Sequence, residues 1–295
     1  MNRNEPDWNL FRTFLYVLKE GSLSGAARAL KLTQPTIGRH IDALEASLGT
    51  KLFIRSLDGM FPTDTALRLA DSVQAMELLS RAMLRKASSG KDAGTVRITA
   101  SEMIGAEVLP PIIARLQDDH PAIMIELVLS NRIEDMTHGA ADIAVRMAKP
   151  EQPDLVAKRI GAIRLGAFAH TEYLRRRGTP RSVDDLSNHV LIGFDRNQQL
   201  IQIASRWGLD VSRENFAFRS DSEHAQLSAL RSGVGIGICQ AGIARKDPNL
   251  KQVLVEELSF SLDMWLAVHR DQRSARLVKT VYSRLVQELG EYARS

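Results

Sequence analysis

The chain has 295 residues, 44% of them hydrophobic and 25% charged, with a formal net charge of +4. That length exceeds one ordinary domain, the composition excludes a disordered tail, and no stretch approaches the ~20 apolar residues of a membrane helix. A single cysteine, Cys239, excludes an internal disulfide framework and a cysteine-based zinc cluster. The opening MNRNEPDWN lacks the apolar run of a secretory signal, so a cytoplasmic protein is expected.

Leu10, Phe11, Phe14, Leu15 and Leu18 recur at helical spacing and predict an amphipathic helix closed by Gly21. Ser22 caps a second helix with Leu23, Ala26, Ala27 and Leu30 inward, the alanines small enough for a close crossing. Lys31-Leu32 makes a turn, Thr33 is the next cap, and Pro35 falls in a first turn, where its missing N–H costs nothing. This third helix is expected to bury Ile37, Ile41, Leu44 and Leu48 and to end at Gly49. Its other face offers Gln34, Thr36, Arg39 and His40. Gln pairs bidentately with adenine, Thr meets a thymine methyl, and Arg takes guanine or phosphate. Helix, tight turn and helix in this order form the pattern that inserts one short helix into the DNA major groove.

KLFIRSLDGMFPT (51–63) then reads as a β-hairpin about an Asp-Gly turn, with Arg55 placed to meet an adjacent phosphate strand. Residues 28–55 hold five basic side chains (Arg28, Lys31, Arg39, Lys51, Arg55) against two acids, Asp42 and Glu45. The excess sits where a phosphate backbone would be met. From Asp64 to about Ser88 there is no Gly or Pro, and Thr63 caps one long helix. Ala66, Leu69, Val73, Met76, Ser80 and Met83 follow alternating spacings of three and four. That spacing is either a coiled-coil seam or the inner face of a helix packed on its own domain. SSGKDAG (88–94) is a flexible hinge.

Beyond Gly94 strands and helices alternate. TVRITA (95–100), MIELVLS (124–130) and ADIAVRM (141–147) read as strands, with helices through 109–116 and 133–139 between them. Such alternation predicts a parallel sheet covered on both faces, with ligands at the carboxyl ends of the strands. Ser101, Glu102 and Met103 follow the first strand, Ser130 and Asn131 the second, and Arg146 ends the third. Asp221 and Ser222 begin a helix whose free N–H groups suit an anion. GVGIG (233–237) follows a helix and precedes a strand, the reverse of a dinucleotide fingerprint, and reads as a helix C-cap and tight turn. There is no Gly-x-Ser-x-Gly elbow, and the histidines are scattered, so no enzymatic activity, cofactor or metal is expected. Cys239 lies in an apolar strand and reads as inert core.

The run SLSGAARALKLTQPTIGRHIDALEASLGTKLFIRS (22–56) and the FPT at 61–63 resemble the LysR-type transcriptional regulators. The resemblance implies an all-α winged helix-turn-helix (1–63), a linker and dimerisation helix (64–90), and a periplasmic-binding-protein-like α/β effector domain (91–295). It places subdomain I at about 91–162 plus 266–295 and subdomain II at about 163–265, with VLIGF (190–194) and LAVH (266–269) crossing between them. TQPTIGRHI becomes the recognition helix, so Thr33, Gln34, Pro35, Thr36 and Arg39 approach DNA, and Gly38 stands where the family more usually has serine or alanine. Phe194 joins the effector candidates, and Met103 stands where many members keep a Thr or Ser donating to a carboxylate. The implied partners are a pseudo-palindromic DNA site, a small-molecule effector, a second copy in a dimer or tetramer, and RNA polymerase. The rival reading is an architectural DNA binder with no ligand.

Overall fold

The computed structural model describes residues 6–56, 59–88, 93–131, 141–197, 212–273 and 275–294. The chain divides into two compact units, one ending at Ala87 and the other beginning at Ser88.

In the first unit, α1 (Trp8–Glu20), α2 (Leu23–Leu30) and α3 (Gln34–Leu48) lead into a hairpin of β1 (Phe53–Ser56) and β2 (Gly59–Pro62). Each helix starts on a side-chain cap: Asp7 accepts from the Asn9 N–H, Ser22 from Gly25 and Thr33 from Thr36. Gly21 and Gly49 end α1 and α3 in the left-handed conformation, each with φ 65°. Phe14, Leu15, Val17, Ala26, Ala27, Ile37, Ile41 and Leu44 form the core with Leu52, Phe53 and Met60 of the hairpin. The antiparallel register pairs Phe53 with Pro62 and Ile54 with Phe61. Asp58 of the expected Asp-Gly turn lies outside the described residues. The hairpin docks on the α1–α2 junction, where the Met60 N–H donates to the Gly21 carbonyl at 2.8 Å. Gly59, at φ 135°, permits that approach, since a Cβ there would lie 2.7 Å from the Gly21 oxygen.

One expectation is corrected here, and one open alternative is resolved for the first half of α4. Leu48 is 36% exposed rather than buried, and Glu45 is buried beside Leu44 instead. A carboxylate goes inward because the hairpin offers it two backbone N–H donors, which an aliphatic side chain could not satisfy. In α4 (Asp64–Ser88), Ala66 and Val73 are buried in this unit's own core and Leu69 packs against it. The first half of the proposed seam is therefore intramolecular. Leu67, Met76, Leu79, Met83 and Leu84 remain exposed.

Among the described residues the second unit is built on a nine-stranded mixed sheet. Its strands are β3 (Gly94–Ala100), β4 (Ile123–Leu129), β5 (Ile143–Arg146), β6 (Leu155–His170), β7 (Leu191–Gly193), β8 (Phe218–Arg219), β9 (Ile236–Gln240), β10 (Leu250–Val253) and β11 (Ser259–His269). They run in the order β4-β3-β5-β11-β6-β9-β7-β8, with β10 also on β6. Pairing is parallel for β3 with β4 and β5, and for β7 with β8 and β9. The wholly parallel sheet expected is corrected by β6 and β11, an antiparallel pair that links the two parallel sets. These two long strands, not VLIGF, cross between the subdomains, and β7 stays inside the second on β8 and β9. A three-residue strand is too short to span both halves, whereas β6 has 16 residues and β11 has 11.

The helices are α5 (Leu109–Asp119), α6 (Thr171–Arg177), α7 (Glu223–Arg231), α8 (Ala241–Ala244) and α9 (Arg276–Arg294). A π-turn (Ile104–Val108) leads into α5. The amphipathic α9 returns to β3, β6 and α5, burying Leu277, Val278, Val281, Leu285 and Leu289. Arg115 and Arg284 hold its Glu288 from α5 and from one turn earlier. The helix expected at 133–139 lies outside the described residues. No described helix is long and apolar enough to cross a membrane.

Candidate nucleic-acid interface and effector cleft

The DNA-reading candidates cluster at the start of α3. Thr33, Gln34, Pro35 and Arg39 are exposed, and Thr36 is half-buried. The Thr33 hydroxyl lies 2.8 Å from the Thr36 hydroxyl and also accepts the Thr36 N–H, fixing the first turn. Arg39 has no ion-pair partner among the described residues, so its guanidinium is available to an incoming anion. Arg55 differs, because it pairs with Asp42 and ties the wing to α3. Both members are more than half exposed, so the pair is a weak surface one. His40 is half-buried, its Nδ1 2.9 Å from the Thr13 hydroxyl of α1.

Glu45 holds this reading head in shape. Its Oε1 accepts from the Leu52 N–H at 2.9 Å and the Phe53 N–H at 3.2 Å, while Lys51 Nζ lies 2.6 Å from Oε2. Burial pushes the Glu45 carboxyl up, but Lys51 and the two N–H donors outweigh it and hold it below the usual carboxylate range. Lys19 of α1 reaches the buried Glu77 of α4 at 3.2 Å. Neither pair was foreseen; their members are only six residues apart in the first case but 58 in the second.

In the second unit the effector candidates divide. The Ser101 N–H donates to the Val145 carbonyl, and its hydroxyl is buried with no hydrogen-bond partner among the described residues. Asn131 Oδ1 accepts the Glu102 N–H at 3.0 Å, and the Ser130 N–H donates to Ala100, so the ends of β3 and β4 are laced together. Met103 is buried in the core, which explains an apolar side chain there. Arg146 is buried, donating to Thr99 Oγ1 at 2.9 Å and to the Val145 carbonyl. Phe194 is half-buried at the end of β7. The Asp221 carboxylate accepts the N–H groups of Asp195, Arg196 and Asn197. These three bonds outweigh burial and hold its carboxyl below the usual range, so it clamps the loop after β7. Ser222 accepts from the Ala225 N–H, using one of the N–H groups of α7 assigned to an anion.

Across the same end of the sheet lies a clasp that sequence reasoning missed. Arg231 at the end of α7 makes a two-pronged bond to Glu107 of the π-turn, at 3.1 and 2.8 Å. Lys246 donates to the Glu107 carbonyl at 3.0 Å. The Arg231 hydrogen bond is the main reason the Glu107 carboxyl lies below its ordinary range. At the other end of α7, burial and the charge of Glu102 push the Glu223 carboxyl up. Tyr292 donates to Gln240 at 2.8 Å, joining α9 to β9. Cys239 is buried, its thiol pushed up to about 12 by desolvation, as befits a core residue.

A helix-turn-helix with a two-stranded wing, joined to an α/β unit with two parallel strand sets on shared long strands, is the architecture of a DNA-binding regulator with a ligand-binding domain. Residues 8–67 match the "Bacterial regulatory helix-turn-helix protein, lysR family", and residues 89–290 match the "LysR substrate binding domain". The chain belongs to the LysR family of transcriptional regulators. An HTH-type transcriptional regulator of Xanthomonas campestris pv. campestris is 28% identical over 69% of this chain, which spans 60% of that relative's length. CrgA of Neisseria meningitidis serogroup C is 26% identical over 94% of this chain and 95% of its own. Full-length CbnR, solved with its target DNA, shares the fold at a TM-score of 0.68 and 17% identity, over 96% of this chain and 99% of that one.

Proposed function

We propose that residues 1–63 read a pseudo-palindromic duplex, that 64–90 pair two copies, and that 91–295 bind a small molecule which sets the spacing of the two reading heads. The observation that carries this reading is the exposed polar tip of α3, with Thr33, Gln34, Pro35, Thr36 and Arg39 on a rigid, capped helix. His40 and Arg55 flank it, the latter after release from Asp42. Pairing uses Met76, Leu79, Met83 and Leu84, apolar residues in the second half of α4 that the unit's own core leaves exposed. The complex of CbnR with its target DNA supports the DNA partner. Two copies, or four as a dimer of dimers, act in the cytoplasm without catalysis or cofactor, and promoter-bound copies meet RNA polymerase.

The effector site is the junction of the strand ends, lined by Ser101, Glu102, Ser130, Asn131 and Phe194, with Arg146 behind it. Met103, Asp221 and Ser222 shape its walls, consistent with their commitments to core, loop and cap. Closure is sensed through the Glu107–Arg231 clasp. Ser101→Ala with Asn131→Ala is expected to abolish the effector response and leave basal DNA binding intact. Footprint length on the upstream region, with and without a panel of small metabolites, checks this, and a normal response moves the site elsewhere.

The primary test is fluorescence anisotropy of the full chain with duplex from its own upstream region, across a salt series. Binding should weaken linearly in log–log form with salt. Arg39→Ala is expected to cost about 1–3 kcal/mol of operator affinity with the fold unchanged. Equal affinity in a folded variant removes Arg39 from the contact, and no salt-sensitive binding by the parent overturns the reading.

A further inference from the structure

We infer that His40 is a specificity-determining residue of the DNA interface and that Thr13 is the positioning residue that sets its chemistry. The inference rests on the reading above, that α3 enters the major groove. It begins with one proton. The Thr13 hydroxyl lies 2.8 Å from the Asn9 carbonyl, one turn back on α1, and 2.9 Å from His40 Nδ1. A carbonyl only accepts, so the single hydroxyl proton of Thr13 is committed to Asn9. The Thr13 oxygen must therefore accept from the ring, and Nδ1 carries the hydrogen. Thr13 is 1% exposed, which keeps water from replacing either bond.

In the neutral imidazole the second nitrogen then holds a lone pair. The ring is pinned at one edge and half-buried, and it lines an open cavity of about 430 Å³ with Arg12, Leu30 and Leu32. Asp7 also lines that cavity, but its carboxylate accepts the Asn9 N–H at 2.7 Å. His40 follows Arg39 directly and stands one turn after Thr36 on α3, in the half of the helix that reads DNA. A fixed acceptor at Nε2 has a defined complement in the major groove. It fits the exocyclic amine of adenine or cytosine and meets a second acceptor at guanine O6 or thymine O4. His40 thus selects adenine or cytosine at one position of each half-site, and Thr13 makes the choice by denying the ring its other tautomer.

Two measurements on the full-length protein test this. Long-range ¹⁵N–¹H correlation spectra of the free protein at alkaline pH should show His40 protonated on Nδ1. Thr13→Val should remove that bias and Thr13→Ser should restore it. A parent ring protonated on Nε2 overturns the inference. Anisotropy against operator duplexes with each base pair substituted in turn should show one position per half-site where adenine or cytosine is favoured about 5-fold or more. His40→Asn, which retains a donor for Thr13 but ends short of Nε2, should flatten that position. Thr13→Val should flatten the same position. A folded His40→Asn protein with the parent's full preference profile makes the histidine a packing strut and overturns the proposal. If the parent binds no duplex, the DNA-reading function itself fails, while the tautomer measured in the free protein stands apart.

Discussion

Glu45→Ala is expected to lower the stability of the DNA-binding unit by about 2–5 kcal/mol, because two buried backbone N–H donors lose their acceptor. The substitution removes the carboxylate that meets the Leu52 and Phe53 N–H groups, and both donors stay buried beside the hairpin core. Each unsatisfied donor costs about 1–3 kcal/mol. Lys51, mostly exposed, contributes little by comparison and turns to solvent. Glu45→Gln retains an acceptor oxygen and should recover much of the loss. The pH dependence has a definite sign. Because the folded carboxyl lies below its ordinary value of 4.5, its contribution is present above that pH and drains away as pH falls through the lower folded value. Urea denaturation of parent and variants, followed by the fluorescence of Trp8 in α1, measures both effects. An Ala variant as stable as the parent would show that the hairpin N–H groups find other partners.

Gly235→Ala is expected to be comparably severe, but in the other unit. A Cβ at Gly235 runs into the Val190 carbonyl oxygen and carbon, which are backbone and have no rotamer to yield. The same carbonyl accepts the Ile236 N–H at 2.9 Å, so relief of the clash breaks the entry of β9 onto β7. Overpacking and one lost hydrogen bond together come to about 2–4 kcal/mol. The loop that Asp221 clamps follows β7 directly, so effector responses should fail along with stability. Calorimetry should show the loss in the transition of the effector unit while that of the DNA-binding unit holds. A single shifted transition for both units would mean that they unfold together.

Much of the reading head was legible because its information is local. Ser22, Thr33, Gly21 and Gly49 are cap residues whose partners lie within four positions, and an apolar stripe repeats every three or four residues. The same logic misplaced Leu48, because periodicity alone extends the stripe one turn past the point where the hairpin takes over the core. It left α4 open between two readings, since a stripe that packs on its own domain looks the same in sequence as one that pairs with another chain. In the second unit, Met103, Asp221 and Ser222 stand at the expected strand ends and helix start, yet their side chains are engaged in core, loop clamp and cap.

Chain order and residue chemistry by themselves determined the helix-turn-helix, its wing, the exposed Gln34–Arg39 tip and the alternation of strands and helices, because each depends on neighbours a few bonds away. Only the tertiary structure decided which strands bridge the subdomains, which carboxylate supports the hairpin, and how Glu107 meets Arg231 across 124 residues. It also brought His40 Nδ1 to 2.9 Å from a hydroxyl 27 residues away. Such pairings leave no periodic mark in the sequence, since the free energy that selects them arises only when distant segments share one desolvated space.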